Sequence, residues 1–154
     1  DAKKADIVAE FGADHVIVGR QADIRAQVMK VTNGRGVDAV YDLLGGVFFE
    51  QAVKSVAWCG RYAIVGFASG NIPQIGLNKL LLRSISLAGV SWGEASMIDQ
   101  PQNYENFRCV LDWHSKGLLK NICLTSLPLT DINSAMTMLS DGTSMGRVTV
   151  DIGG

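Results

Sequence analysis

Short apolar runs and helically spaced apolar positions take turns along this chain, and glycine marks most of the changes between them. Ile7, Val8 and Phe11 define one face of an opening helix that ends at Gly12, a residue able to take the left-handed conformation that stops helices. His15 to Val18 (HVIV) is an apolar run suited to a buried parallel strand. Ile24, Val28 and Val31 then recur at helical spacing, giving a helix over 21 to 32 that Asn33-Gly34 breaks. Val37 to Leu44 (VDAVYDLL) is the next strand, Phe48 to Val56 a helix closed near Gly60, and Tyr62 to Phe67 (YAIVGF) a further strand. Strands and helices in alternation predict parallel pairing.

After a polar turn at Ser69 to Pro73, a short helical piece runs through Leu82, and Ile85 to Val90 reads as another strand. Pro101 suits the first turn of a helix, where its missing N–H is harmless, and Phe107, Val110, Leu111 and either Trp113 or His114 continue the face to Gly117. The tail predicts a strand around Ile122 to Leu127, then Thr130 with Asp131 as the N-terminal cap of a helix over Ile132 to Leu139. A last strand follows at Arg147 to Ile152.

Composition narrows the function classes. With 47% hydrophobic and 19% charged residues in 154, the chain fits one ordinary soluble α/β core and not a disordered or coiled-coil protein. Its 14 Lys and Arg are scattered among 15 Asp and Glu, so no basic stripe is present to neutralise phosphates, and nucleic acid is not expected as a partner. Apolar stretches such as Leu77 to Leu82, interrupted by Asn78 and Lys79, fall short of the ~20 residues of a membrane span. The opening segment has no signal-peptide core, so the expected location is the cytoplasm. Cys59, Cys109 and Cys123 match neither a disulfide framework nor a Cys-x-x-Cys zinc site, and are read as reduced, mostly buried thiols. The chain has no Gly-x-Ser-x-Gly elbow and no His-Glu-x-x-His pair, and neither His15 nor His114 has an acidic or nucleophilic companion in sequence. No catalytic side chain and no metal ligand is expected.

Several segments carry a family likeness: FGADHVI at 11 to 17, TNGRGVDAVYD at 32 to 42, WCGRYAIVGFASG at 58 to 70, LLLRSISLAGVSWG at 80 to 93 and MGRVTV at 145 to 150. In this order and spacing the chain resembles medium-chain dehydrogenase/reductases of the zinc-independent quinone oxidoreductase branch, which includes ζ-crystallin. The resemblance implies an α/β fold: a partial Rossmann-type parallel sheet with flanking helices, plus a small β-α-β tail from the substrate domain. It implies two parts, 1–120 from the dinucleotide-binding domain and 121–154 from the substrate domain. It also implies NADPH as cofactor and a quinone or enone as the small-molecule substrate of the full-length family, reduced by direct hydride transfer. In the family a first strand, a glycine-rich loop and a second strand grip the diphosphate, and these would lie upstream of Asp1. A chain without them is expected to be inactive by itself. The alternative is a non-catalytic oligomerising or binding module derived from the fold.

Six residues are candidates for cofactor contact. Lys4 matches a family lysine that approaches the 2′-phosphate. Asp42 and Gly45 belong to the turn Asp42-Leu43-Leu44-Gly45 at the carboxyl edge of a strand, where open parallel sheets receive ligands. Direct contact there stands beside a plain structural role, with Asp42 capping the helix and Gly45 and Gly46 allowing a tight turn. Gly66, Phe67 and Ser69 belong to Gly66-Phe67-Ala68-Ser69-Gly70, where small residues would let a flat nicotinamide approach and Phe67 would form an apolar wall. A simple turn is the competing reading. Trp92 resembles a family aromatic near the cleft, or is a buried or interface residue, and Arg147 is a surface charge or a distant cofactor contact.

In the family strand order 3-2-1-4-5-6, HVIV is third and VDAVYDLL fourth, so two strands that would lie between them are missing and leave a gap of ~14 Å. Either 15 to 18 slides in to pair with 37 to 42, or a second chain fills the space. The family also pairs the Ile85–Val90 edge across a twofold, so a homodimer through that strand is expected.

Overall fold

The computed structural model describes residues 2–19, 23–120 and 124–153. It divides into two compact units, Asp1–Asn103 and Tyr104–Gly154. The first contains α1 (Ala2–Glu10), α2 (Ile24–Val31), β1 (Val37–Asp42), a 3-10 turn at Gly46–Phe48, α3 (Phe49–Ser55), β2 (Val56–Ile64), α4 (Leu77–Leu81), β3 (Ser86–Gly89) and α5 (Trp92–Ile98). The division falls within α6 (Gln100–Ser115), and the second unit continues with β4 (Leu124–Pro128), a 3-10 turn at Leu129–Asp131, α7 (Ile132–Ser140) and β5 (Arg147–Asp151).

Sheet order in the first unit is β1-β2-β3, all parallel, with Asp42 opposite Ile64 and Ile64 opposite Gly89. The three carboxyl ends therefore finish level. Phe49 and Val53, one helical turn apart on α3, face the sheet and form the core with Val56, Tyr62 and Ile85. Phe49 and Tyr62 meet edge to face with ring centroids 5.1 Å apart. In the second unit β4 and β5 pair in parallel, and Ala135 of α7 is buried.

The α/β architecture with parallel sheets and flanking helices is as expected, but several local readings need correction. Residues 15–18 are coil, not strand. The run does not pair with 37–42, so the expected slide of 15–18 into the gap does not occur. The physical reason is the lack of a ladder: among the described residues β1 pairs with β2 alone, and nothing hydrogen-bonds along 15–18 as a neighbouring strand. The helix expected to run to Val56 ends at Ser55, and β2 starts at once with Val56, because Arg83 donates from its two terminal nitrogens to the carbonyls of Lys54 and Val56, each at 2.6 Å. A kink at Cys59 (φ +59°) shifts the register between Val37↔Val56 and Ala39↔Arg61.

Asp131 occupies the N-cap position of α7 without a side-chain bond to the helix; its Oδ1 accepts from Thr130 Oγ1 at 3.2 Å instead. Cys59 and Cys109 are exposed, contrary to the expected burial: Cys59 sits in the kink, and Cys109 on a helix with no buried residue. Cys123, residue 21 and the expected strand start at Ile122 lie outside the described residues. Among the described residues no helix is long and apolar enough to cross a membrane.

Candidate functional site

Asp42 ends β1, and its carboxylate organises the turn that leaves the strand. Oδ1 accepts from the backbone N–H of Leu44 at 2.8 Å and of Gly45 at 2.9 Å, while Oδ2 accepts from the Tyr62 hydroxyl at 2.7 Å. Partial burial pushes the Asp42 carboxyl up, but the Tyr62 hydroxyl and the two N–H donors outweigh it and hold the group below the usual aspartate range. Tyr62 is driven the other way, first by burial and then by its bond to the Asp42 carboxylate and that group's charge, so the phenol keeps its proton. Asp42 is therefore not a helix cap. Gly45 precedes the 3-10 turn, Phe48 precedes α3, and neither end has a side-chain cap; the carboxylate clamps a tight turn.

The turn after β1 is zipped to the segment after β2. The N–H groups of Val65, Ala68 and Ser69 donate to the carbonyls of Asp42, Leu43 and Leu44 at 2.8, 3.0 and 3.1 Å, and Gly46 N–H donates to Asn71 O at 3.1 Å. Glycine is required at 45, where φ is +63° and a Cβ would lie 2.8 Å from Cδ1 of Phe67 and 3.1 Å from Asn71 O. The space beside Gly45 is thus filled by this chain's own atoms.

Phe67 and Gly66 line an open groove of about 480 Å³ with Ile64 and Val65 of the same segment and Gly89, Val90 and Ser91 of the next. Its lining is mainly apolar, it lies at the carboxyl ends of β2 and β3, and Val90 N–H to Ile64 O at 2.8 Å closes its base. Of the six candidates, Gly66 and Phe67 line this groove, and Asp42, Gly45 and Ser69 form the paired turns beside it. Lys4 lies half-buried on α1 and is not part of the lining. Trp92 is exposed and follows Ser91 directly, and Arg147 is an exposed residue opening β5. Sequence reasoning missed Tyr62 and the Gly89–Ser91 wall. A tyrosine inside an otherwise apolar YAIV run was the one signal available, since a buried phenol needs a partner. Among the described residues no three of His, Cys, Asp and Glu come together as a metal site.

The groove fits the flat ring end of a nicotinamide dinucleotide, being apolar and bounded by an aromatic wall. Beside this groove the amides of Val65, Ala68 and Ser69 already serve carbonyls within the chain and are not available to a diphosphate.

A three-stranded parallel sheet with flanking helices and a groove at its carboxyl edge is the α/β architecture whose open sheets receive ligands at that edge. The chain belongs to the zinc-binding dehydrogenase family, whose profile matches residues 1–116, and within it to the quinone oxidoreductase-like members of the medium-chain dehydrogenase/reductases. Quinone oxidoreductase-like protein 2 homolog of Nematostella vectensis is 35% identical over 150 residues, covering 97% of this chain and 41% of that protein. Quinone oxidoreductase-like protein 2 of Mus musculus is 29% identical over 150 residues, covering 97% and 43%. Among solved structures, Escherichia coli quinone oxidoreductase complexed with NADPH shares the fold with a TM-score of 0.86 at 22% identity, covering 99% of this chain and 47% of that one. The chain thus spans less than half the length of these relatives.

Proposed function

We propose that this chain is the nicotinamide-facing part of an NADPH-dependent oxidoreductase that reduces a quinone or conjugated carbonyl, with the groove beside Phe67 receiving the ring. One observation carries the reading: the turns after β1 and β2 converge beside an apolar groove where parallel sheets receive ligands. When bound, the reduced cofactor supplies a hydride, and a proton from solvent completes the reduction. The chain's own contribution is positional. Phe67 and Val90 exclude water, Gly66 leaves room for a flat ring, and the Asp42–Tyr62 clamp fixes the turn beside it. Such chemistry needs no protein nucleophile.

Lys4 is assigned to the 2′-phosphate, 1–120 to the cofactor domain and 121–154 to the substrate domain. With its turn amides committed internally, the chain by itself holds the cofactor weakly and turns nothing over. The exposed thiols Cys59 and Cys109 fit the reducing cytoplasm. The same committed amides favour a second reading, a non-catalytic oligomerising or binding module built on the β3 edge.

Titration with NADPH, followed through Trp58, Trp92 and Trp113, separates the two. The reductase reading expects weak, saturable quenching that Trp92→Phe removes, because Trp92 adjoins the groove. Absence of any saturable change would leave the scaffold reading standing.

A further inference from the structure

A second cavity shares no lining residue with the groove beside Phe67. It encloses about 430 Å³ between α3 and the segment through α4, a volume suited to a small ligand. Phe49, Val53, Ile75 and Leu82 supply apolar lining, and Lys54 and Lys79 stand at its edge. Both lysine Nζ atoms lie 3.0 Å from the same oxygen, Glu50 Oε1, so two ammonium groups share one carboxylate. Arg83 adds a third cation whose guanidinium is anchored on the Lys54 and Val56 carbonyls. Three positive groups therefore surround the cavity against one negative group. The lysine pairs are about half exposed, and such pairs contribute little, so either ammonium can turn towards another anion at small cost.

We propose that this cavity binds an amphipathic carboxylate, its aliphatic tail on Phe49, Val53 and Ile75 and its head between Lys54 and Lys79. The apolar lining selects against small inorganic anions, which bring nothing to cover it. The cationic edge selects against neutral and cationic amphiphiles. The proposal is independent of the reductase reading, since it uses none of the residues of the first groove.

Three probes with one tail, octanoate, octanol and octylammonium, test it by amide NMR of the full 154-residue chain. Octanoate is expected to give saturable shifts confined to residues 49–54 and 74–83, with octanol weaker and octylammonium weakest. The double variant Lys54→Gln, Lys79→Gln, altered only at exposed side chains, is expected to weaken octanoate about a hundredfold, the loss of two charge-assisted hydrogen bonds, and to leave octanol unchanged. Equal affinity for all three probes, or an octanoate affinity unaffected by the double variant, would overturn the proposal. So would shifts of the same amides on simple dilution, which would assign the cavity to a contact between two copies of the chain.

Discussion

Asp42 holds its charge because three donors reach its two oxygens, and that makes the turn after β1 sensitive to acid. The folded carboxyl sits below its unfolded value, so the unfolded chain binds the extra proton in the window from about pH 4 downwards. The stabilisation is complete at neutral pH and is lost as pH falls through the folded value. In urea unfolding, Asp42→Asn is expected to be about 1–3 kcal/mol less stable than wild type at pH 7, with the difference shrinking towards pH 2. Tyr62→Phe keeps the two backbone bonds and is expected to lose about 1–2 kcal/mol. An Asp42→Asn chain with an unchanged acid limb would show that the clamp carries no energy. Two glycines give a second residue-scale test. Gly34 and Gly36 have φ of +82° and +84°, yet a Cβ at 34 meets open space while one at 36 would lie 2.5 Å from Ser55 O. Gly34→Ala should cost about 1–2 kcal/mol from backbone strain, and Gly36→Ala a further 1–3 kcal/mol or so from the clash, read as a difference in urea midpoint. The candidate turns were legible because an aspartate and paired glycines after an apolar run are local signals. Tyr62 was not, since its partner lies 20 residues away and no periodicity reports a pairing at that distance.

At the scale of elements, Arg83 joins two segments that no sequence pattern connects. It follows α4, yet its guanidinium satisfies carbonyls at the end of α3 and the start of β2, where the helix leaves acceptors unpaired. Arg83→Ala is expected to cost about 1–2 kcal/mol and to speed amide hydrogen exchange over 49–57 more than over β1. Uniform acceleration across the sheet would mean that Arg83 acts on global stability alone. This contact also explains why β2 begins six residues before the expected Tyr62: Val56 and Ala57 are buried, but Trp58 and Cys59 turn outwards at the kink and blur the apolar run. Helix α2 was legible from Ile24, Val28 and Val31 because an amphipathic face and the stop at Asn33-Gly34 agree. Helix α5 was not: none of its residues is buried, so no apolar face exists for a pattern to reveal. His15 to Val18 misled for the opposite reason. Its composition suits a strand, but a strand also needs a neighbour, and composition cannot say whether one is present.

For the whole molecule, the open edge of the sheet at β3 is the surface on which a homodimer is proposed. Among the described residues only seven apolar side chains are buried, while all four residues of β3 are exposed and pair on one side alone. An unprotected edge of this kind joins other strands unless something covers it, and a second copy across a twofold would cover it with an identical strand. Val90 donates inwards to Ile64, so by alternation the N–H of Leu87 points outwards and is available to a partner. The chain is therefore expected to sediment at twice its 16.5 kDa, shifting towards the monomer on dilution. Leu87→Pro removes that outward donor and should give the monomeric mass at every concentration, with the helical and strand signal in circular dichroism retained. A wild-type mass of 16.5 kDa throughout would remove the dimer. A dimer that survives Leu87→Pro would move the contact to another surface, and the outer edge of β1, where Tyr41 is exposed, is the next edge to block in the same way.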